Sequence, residues 1–161
     1  MPMFKPGEVY QFAIKIEENG EGFYRKIVEK MEDEEVQNLF QFLADEEVKH
    51  KEIFKNMLGK IEDYHPPESY PGEYFNYLKS YAENLIFSVD QLNRELEDIN
   101  SPLSAINYGI KKELNTISYY NEIKNMVSDN EINKIESIIN EERKHVVKLS
   151  KMKEAVINKQ I

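Results

Sequence analysis

The segment Glu46-Glu47-Val48-Lys49-His50 recurs 95 positions later as Glu141-Glu142-Arg143-Lys144-His145, and both copies lie in stretches whose apolar residues fall every three or four positions. That spacing marks a helix with one buried face. Around the first copy the face reads Val36, Leu39, Phe40, Leu43, Phe54, Met57 and Leu58; around the second it reads Ile132, Ile135, Ile138, Ile139, Val146, Leu149, Met152 and Val156. The steps Leu43, Glu47, His50, Phe54 and Ile138, Glu142, His145, Leu149 keep the apolar spacing. A carboxylate and an imidazole therefore stand where the core should be in each helix.

Two further amphipathic stretches carry the same anomaly. At an offset of 96, Ala13-Ile14-Lys15-Ile16-Glu17 lies on Gly109-Ile110-Lys111-Lys112-Glu113, and Phe23-Tyr24 lies on Tyr119-Tyr120. The face holding Ala13, Gly20 and Tyr24 also holds Glu17, and the face holding Gly109, Ile117 and Tyr120 also holds Glu113. The chain reads as a helical hairpin written twice.

Helix A has its stripe from Val9 to Met31, and Asp33 can cap helix B, which ends near Gly59. Ser101 and Pro102 open helix C, and helix D follows Ser128-Asp129-Asn130 and continues to near the C-terminus. Connections of a few residues force each pair antiparallel. Between the hairpins, Pro66, Pro67, Pro71 and Gly72 interrupt the pattern, while Tyr74, Phe75, Tyr77, Leu78 and Tyr81, then Val89, Leu92, Leu96 and Ile99, predict two short helices. The expectation is an all-α four-helix bundle forming one domain over 1–161, with one core, hairpins over about 6–60 and 102–158, and a long B–C crossover over about 61–101 that contains the short helices. Six Gly and six Pro are few enough for long helices.

Four carboxylates in one dry core would repel one another or take up protons, because an isolated buried charge costs many kcal/mol. Two divalent cations balance Glu17, Glu47, Glu113 and Glu142, and neutral His50 and His145 add nitrogen ligands without adding charge. The three-residue step from Glu47 to His50, and from Glu142 to His145, puts both side chains on one face about a turn apart, within reach of one metal centre. The chain has no cysteine, which excludes thiolate metal sites, thiol nucleophiles and disulfides.

Neighbouring residues fit supporting roles. Glu46 and Glu141 can reach the histidine of the opposing helix, and Tyr24 and Tyr120 can hydrogen-bond ligand carboxylates or quench radicals beside the site. Solvent exposure for the acids and core packing for the phenols are the competing explanations. His65 has no Glu at ligand spacing and reads as a loop residue.

On these residues the chain resembles the rubrerythrin branch of the ferritin-like superfamily. The resemblance is carried by 13–24 (AIKIEENGEGFY), 42–54 (FLADEEVKHKEIF), 109–120 (GIKKELNTISYY) and 141–149 (EERKHVVKL), and it extends over nearly the whole chain. It implies a ferritin-like bundle with two iron ions, or manganese or a mixed pair, held by Glu17, Glu47, His50, Glu113, Glu142 and His145, with Glu47 and Glu142 bridging. Two departures matter. Rubrerythrins commonly carry a small rubredoxin domain with four cysteines; a chain without cysteine needs a separate electron donor such as a rubredoxin. Thr116 stands where the family tends to place a further glutamate, so the six-ligand set is closer to that of bacterioferritin.

The resemblance implies a non-haem di-iron oxidoreductase, a peroxidase reducing hydrogen peroxide or dioxygen. A ferroxidase or iron-storage protein, a di-iron hydroxylase and a metal-free helical interaction module are the competing readings. A formal charge of −9 disfavours nucleic acid and anionic membranes as partners. The lack of an apolar signal core or long apolar run leads to the expectation of a soluble, cytoplasmic protein. Tyr64, Tyr70, Tyr74, Tyr77 and Tyr81, outside the main stripes, suggest a homodimer interface.

Overall fold

The structure is a computed structural model that describes residues 7–61, 72–86 and 89–159. Its elements are α1 (Gly7–Lys30), α2 (Glu34–Gly59), α3 (Gly72–Leu85), α4 (Val89–Glu97), α5 (Pro102–Ile123) and α6 (Asp129–Lys159), with a single 3-10 turn (Lys124–Met126) ahead of α6. All regular structure among the described residues is helical, as expected. His65, Tyr64, Tyr70 and the prolines of the crossover lie outside them.

The helix starts are set by the residues that announce them. Asp33 accepts from Val36 N at 3.0 Å, satisfying one of the first-turn amides that have no partner within the helix. Gln37 Nε2 donates to Met31 O at 2.5 Å and fastens the α1–α2 turn from inside. At α5, Ser104 N donates to Ser101 Oγ and Ser101 N donates to Ser104 Oγ, each at 3.1 Å, a reciprocal cap ahead of a proline in the first turn.

α1 packs along α2 and α5 along α6, giving the two hairpins. Between hairpins, Tyr24 meets Glu113 while Tyr120 meets Glu17, so α1 and α5 run antiparallel. His50 meets Glu141 while Glu35 meets Lys159, so α2 and α6 do too. It follows that α2 and α5 point the same way, and the chain must return along the bundle, about 39 Å for the 26-residue α2. α3 and α4 lie on this return path, with α3 packed on α1 and α5 and α4 on α1.

The interior differs from the single core expected. It consists of two apolar clusters. One gathers Val9, Ala13 and Ile16 of α1, Phe54 and Met57 of α2, Leu78 and Ala82 of α3, Tyr119, Tyr120 and Ile123 of α5, and Ile135, Ile138 and Ile139 of α6. The other gathers Phe23, Tyr24 and Ile27, then Phe40 and Leu43, then Leu92 and Leu96 of α4, then Ala105 and Ile106, then Leu149 and Val156. On every long helix the residues between the two clusters are the polar ones singled out above. The physical reason for the division is this charged layer, which apolar side chains cannot cross without stranding its polar atoms. None of the described helices is long and apolar enough to cross a membrane.

Candidate metal centre

α1 brings Glu17 into the layer, α5 brings Glu113, α2 brings Glu47 and His50, and α6 brings Glu142 and His145. None of the six exposes more than 3 % of its surface. They form two groups in which one donor atom per residue lies within 4.8 Å of the others: Glu17, Glu47, His50 and Glu142, and Glu47, Glu113, Glu142 and His145. Glu47 and Glu142 belong to both.

Both imidazoles turn Nδ1 toward the carboxylates. His50 Nδ1 lies 3.0 Å from Glu142 Oε1 and 3.7 Å from Glu17 Oε2, and His145 Nδ1 lies 3.0 Å from Glu142 Oε2 and 3.6 Å from Glu113 Oε1. Glu17 Oε2, Glu47 Oε1, Glu142 Oε1 and His50 Nδ1 are buried with no hydrogen-bond partner among the described residues. Buried polar atoms are normally satisfied, so four orphans aimed at one another call for a cation. Adjacent donors around an ion at about 2.1 Å in octahedral array are about 3 Å apart, close to the 3.0 to 3.7 Å between each imidazole and its carboxylates. The residues present therefore fit two metal ions with oxygen and nitrogen ligands.

Two tyrosines hold the outer carboxylates, and they do so crosswise. Tyr24 on α1 donates to Glu113 Oε1 on α5 at 2.9 Å, and Tyr120 on α5 donates to Glu17 Oε1 on α1. Burial, then the neighbouring glutamates, push both phenols well above their usual pKa, so they remain donors. Glu141 Oε2 lies 2.7 Å from His50 Nε2, across the helix pair. Glu46 instead accepts from its own neighbour Lys49 at 2.5 Å, and the edge of Phe42 faces the His145 ring at 5.8 Å.

The electrostatics of the layer follow from burial and crowding. Burial raises Glu47, and Glu17 and Glu142 beside it raise it further; burial raises Glu113, and Glu142 adds to that rise. Burial would raise Glu142 as well, but hydrogen bonds from Glu113 and His145 and the charge of His50 beside it hold it well below the usual range. Burial opposes charge on His50, yet Glu17 and Glu142 outweigh it and bring its pKa up to about 12. His145, opposed by burial and supported by Glu113 and Glu142, is raised to about 9. By themselves, these side chains balance their charge with protons, and a bound cation must displace those protons.

Two further residues shape the centre without a sequence signal of their own. A Cβ added to Gly20 would stand 2.8 Å from Glu47 Oε2 and 3.1 Å from Lys112 Cε, so the bare backbone of α1 is the seat of the Glu47 carboxylate. Lys112, partly buried, stretches over that seat; burial lowers its pKa and the four glutamates partly restore it. Lys112 also walls a cavity of about 280 Å³ lined by Asn84, Leu85, Glu95, Tyr108, Lys111 and Asn115. Thr116 is buried in the same layer, one turn after Glu113.

A family profile described as Rubrerythrin matches residues 8–153. A crystal structure from Thermotoga maritima, ascribed to the ferritin-like diiron-carboxylate proteins, is similar to 94 % of this chain and 95 % of that one, at 25 % identity and a TM-score of 0.62. No curated protein sequence matches the chain.

Proposed function

The chain belongs to the rubrerythrin family, and on that footing we propose that it is a non-haem di-iron oxidoreductase that reduces hydrogen peroxide with electrons from a separate donor protein. The observation that carries this reading is the sharing of Glu47 and Glu142 by two four-residue donor sets in one dry layer. Carboxylates shared in this way would hold two ions side by side, and such a pair, when bound, would supply the two electrons that peroxide reduction needs. Glu17 and His50 complete one set, and Glu113 and His145 the other. Iron suits this mixture of carboxylate and imidazole, and manganese or a mixed pair is compatible with it.

The rest of the chain prepares these ligands. Glu141 fixes the His50 ring, Tyr24 and Tyr120 orient the outer carboxylates, and the apolar clusters on both sides keep water out of the layer. These residues include no cysteine to hold a rubredoxin-type iron, which supports a donor outside them. The cavity beside Lys112 is lined mostly by polar side chains, which favours a small polar oxidant over the apolar organic substrate a hydroxylase would need.

The test is anaerobic purification, measurement of iron and manganese per chain, and addition of an equivalent of hydrogen peroxide or of dioxygen while the near-ultraviolet absorption of the oxidised pair is followed. Two irons per chain, oxidised faster by peroxide, support the proposal. Faster oxidation by dioxygen replaces it with ferroxidase or oxygenase chemistry, and failure to bind metal rejects it.

A further inference from the structure

Tyr120, bonded to Glu17, is the inner end of a line of tyrosines that reaches the surface. Its ring centroid lies 5.9 Å from that of Tyr119, Tyr119 lies 6.1 Å from Tyr81 with the planes only 15° apart, and Tyr81 lies 6.1 Å from Tyr77. Tyr120 and Tyr119 are fully buried, Tyr81 is half-buried, and Tyr77 exposes 52 % of its surface. The line leaves α5 for α3, running from the metal layer through the first apolar cluster to the crossover.

Among the described residues, the other half of the bundle shows no such line. Tyr24 occupies the position equivalent to Tyr120, but the rings packed on it are Phe23 at 6.1 Å and Phe40 at 5.6 Å. A phenol gives up an electron far more readily than a phenyl ring does, because the oxygen stabilises the radical left behind. Phe23 is the counterpart of Tyr119 at the offset of 96, so one hydroxyl separates a continuous path from a blocked one.

Resting on the redox reading of the centre, we propose that Tyr120, Tyr119, Tyr81 and Tyr77 form a relay that carries single electrons from the crossover surface to the metal centre. Peroxide needs two electrons, and where the ion pair has only one to give the second comes from Tyr120, whose phenolic proton crosses its hydrogen bond to Glu17. An electron passed through Tyr119 and Tyr81 refills Tyr120, and the proton returns from Glu17. Tyr119 and Tyr81 donate to the backbone carbonyls of Val9 and Asn115, at 3.4 and 3.2 Å, which are too weakly basic to keep a proton; these two rings pass the electron on and keep their protons. The missing electron settles on Tyr77, which gives its proton to water and becomes a neutral phenoxyl radical. A one-electron donor at the surface, a reduced flavin or iron–sulfur protein, restores the electron and water restores the proton. The net change is one electron moved from donor to centre with every phenol regenerated.

The experiment uses the iron-loaded protein reduced by only one electron per iron pair, oxidised anaerobically by an equivalent of peroxide with no donor but with a nitroso spin trap, followed by mass-spectrometric mapping of the adduct. Oxidation of the centre is read separately by its absorption, and iron content and melting temperature are checked in every variant. The relay predicts an adduct on Tyr77 that is lost in both Tyr119→Phe and Tyr81→Phe and retained in the off-path variant Tyr108→Phe, with iron content unchanged. An adduct on Tyr77 that survives both substitutions, or an oxidised centre with no adduct there, overturns the relay and leaves the peroxidase proposal standing. A centre that peroxide does not oxidise overturns both.

Discussion

Glu141 on α6 sets its Oε2 2.7 Å from Nε2 of His50 on α2, which leaves the Nδ1 of that ring facing Glu17 and Glu142. Glu46, its counterpart on α2, pairs with Lys49, so the two halves of the centre are not equivalent. A carboxylate on the outer nitrogen of a ligating imidazole fixes the ring and increases its basicity. Glu141→Ala should weaken the metal position served by His50 by about 10- to 100-fold, while Glu46→Ala should change little. Anaerobic metal titration of the two variants checks this, and equal losses in both would contradict it.

Metal affinity should rise with pH. Glu47 and Glu113 are raised by burial and by their neighbours, and His145 and His50 are raised to about 9 and about 12, so near neutrality the layer carries protons that a cation must displace. For stability the sign is opposite. These groups hold more protons folded than unfolded, and their contribution is complete below the unfolded values of 4.5 and 6.5 and is lost as pH climbs through the raised ones. Glu142, held low, opposes this trend only as pH falls below 4.5. The melting temperature of the metal-free protein should decline from about pH 5 to about pH 9, and added metal should raise it more at the alkaline end. A flat profile would count against the protonated layer.

Gly20→Ala sets two effects against each other. Alanine gains about 1 kcal/mol of helix propensity over glycine, but its Cβ would meet Glu47 Oε2 at 2.8 Å. Glu47 is flexible but hemmed in, so the carboxylate should move out of its seat. The expected result is a metal-free chain at least as stable as the original that binds metal more weakly; a calorimetric titration with undiminished affinity would show that the seat is not needed.

Ser101→Ala removes the side chain that accepts from Ser104 N and should cost about 1 kcal/mol of stability. Since the cap lies at the start of α5, remote from Glu113, metal stoichiometry should not change. Denaturant melts and metal analysis on the same samples separate the two readings.

Much of this was legible because the anomaly was one of position. Polar residues on the apolar spacing of four helices identify Glu17, Glu47, His50, Glu113, Glu142 and His145, and Asp33 and Ser101 announce their helices by the same chemistry the structure shows. What stayed hidden depends on which helices become neighbours. The crossed pairing of Tyr24 with Glu113 and Tyr120 with Glu17 needs α1 and α5 side by side. Lys112 reaches the layer only because Gly20 leaves room for it. A lysine stands three residues after each of Glu46 and Glu141, Lys49 and Lys144, so nothing in the pattern distinguishes the two.

The two apolar clusters each draw on all four long helices, and neither hairpin encloses either of them. Divided between α2 and α5, the chain would become two fragments of like pattern, each with one buried glutamate on its first helix, Glu17 or Glu113, and a Glu-x-x-His on its second. Such a fragment has no interior until it meets a copy of itself. In architecture the protein is a two-fold dimer made covalent, with the crossover as a tether that turns a concentration-dependent encounter into an intramolecular one. Joined in one chain, the halves need not place the same residue on both sides of the pseudo-two-fold axis, and Phe23 and Tyr119 differ.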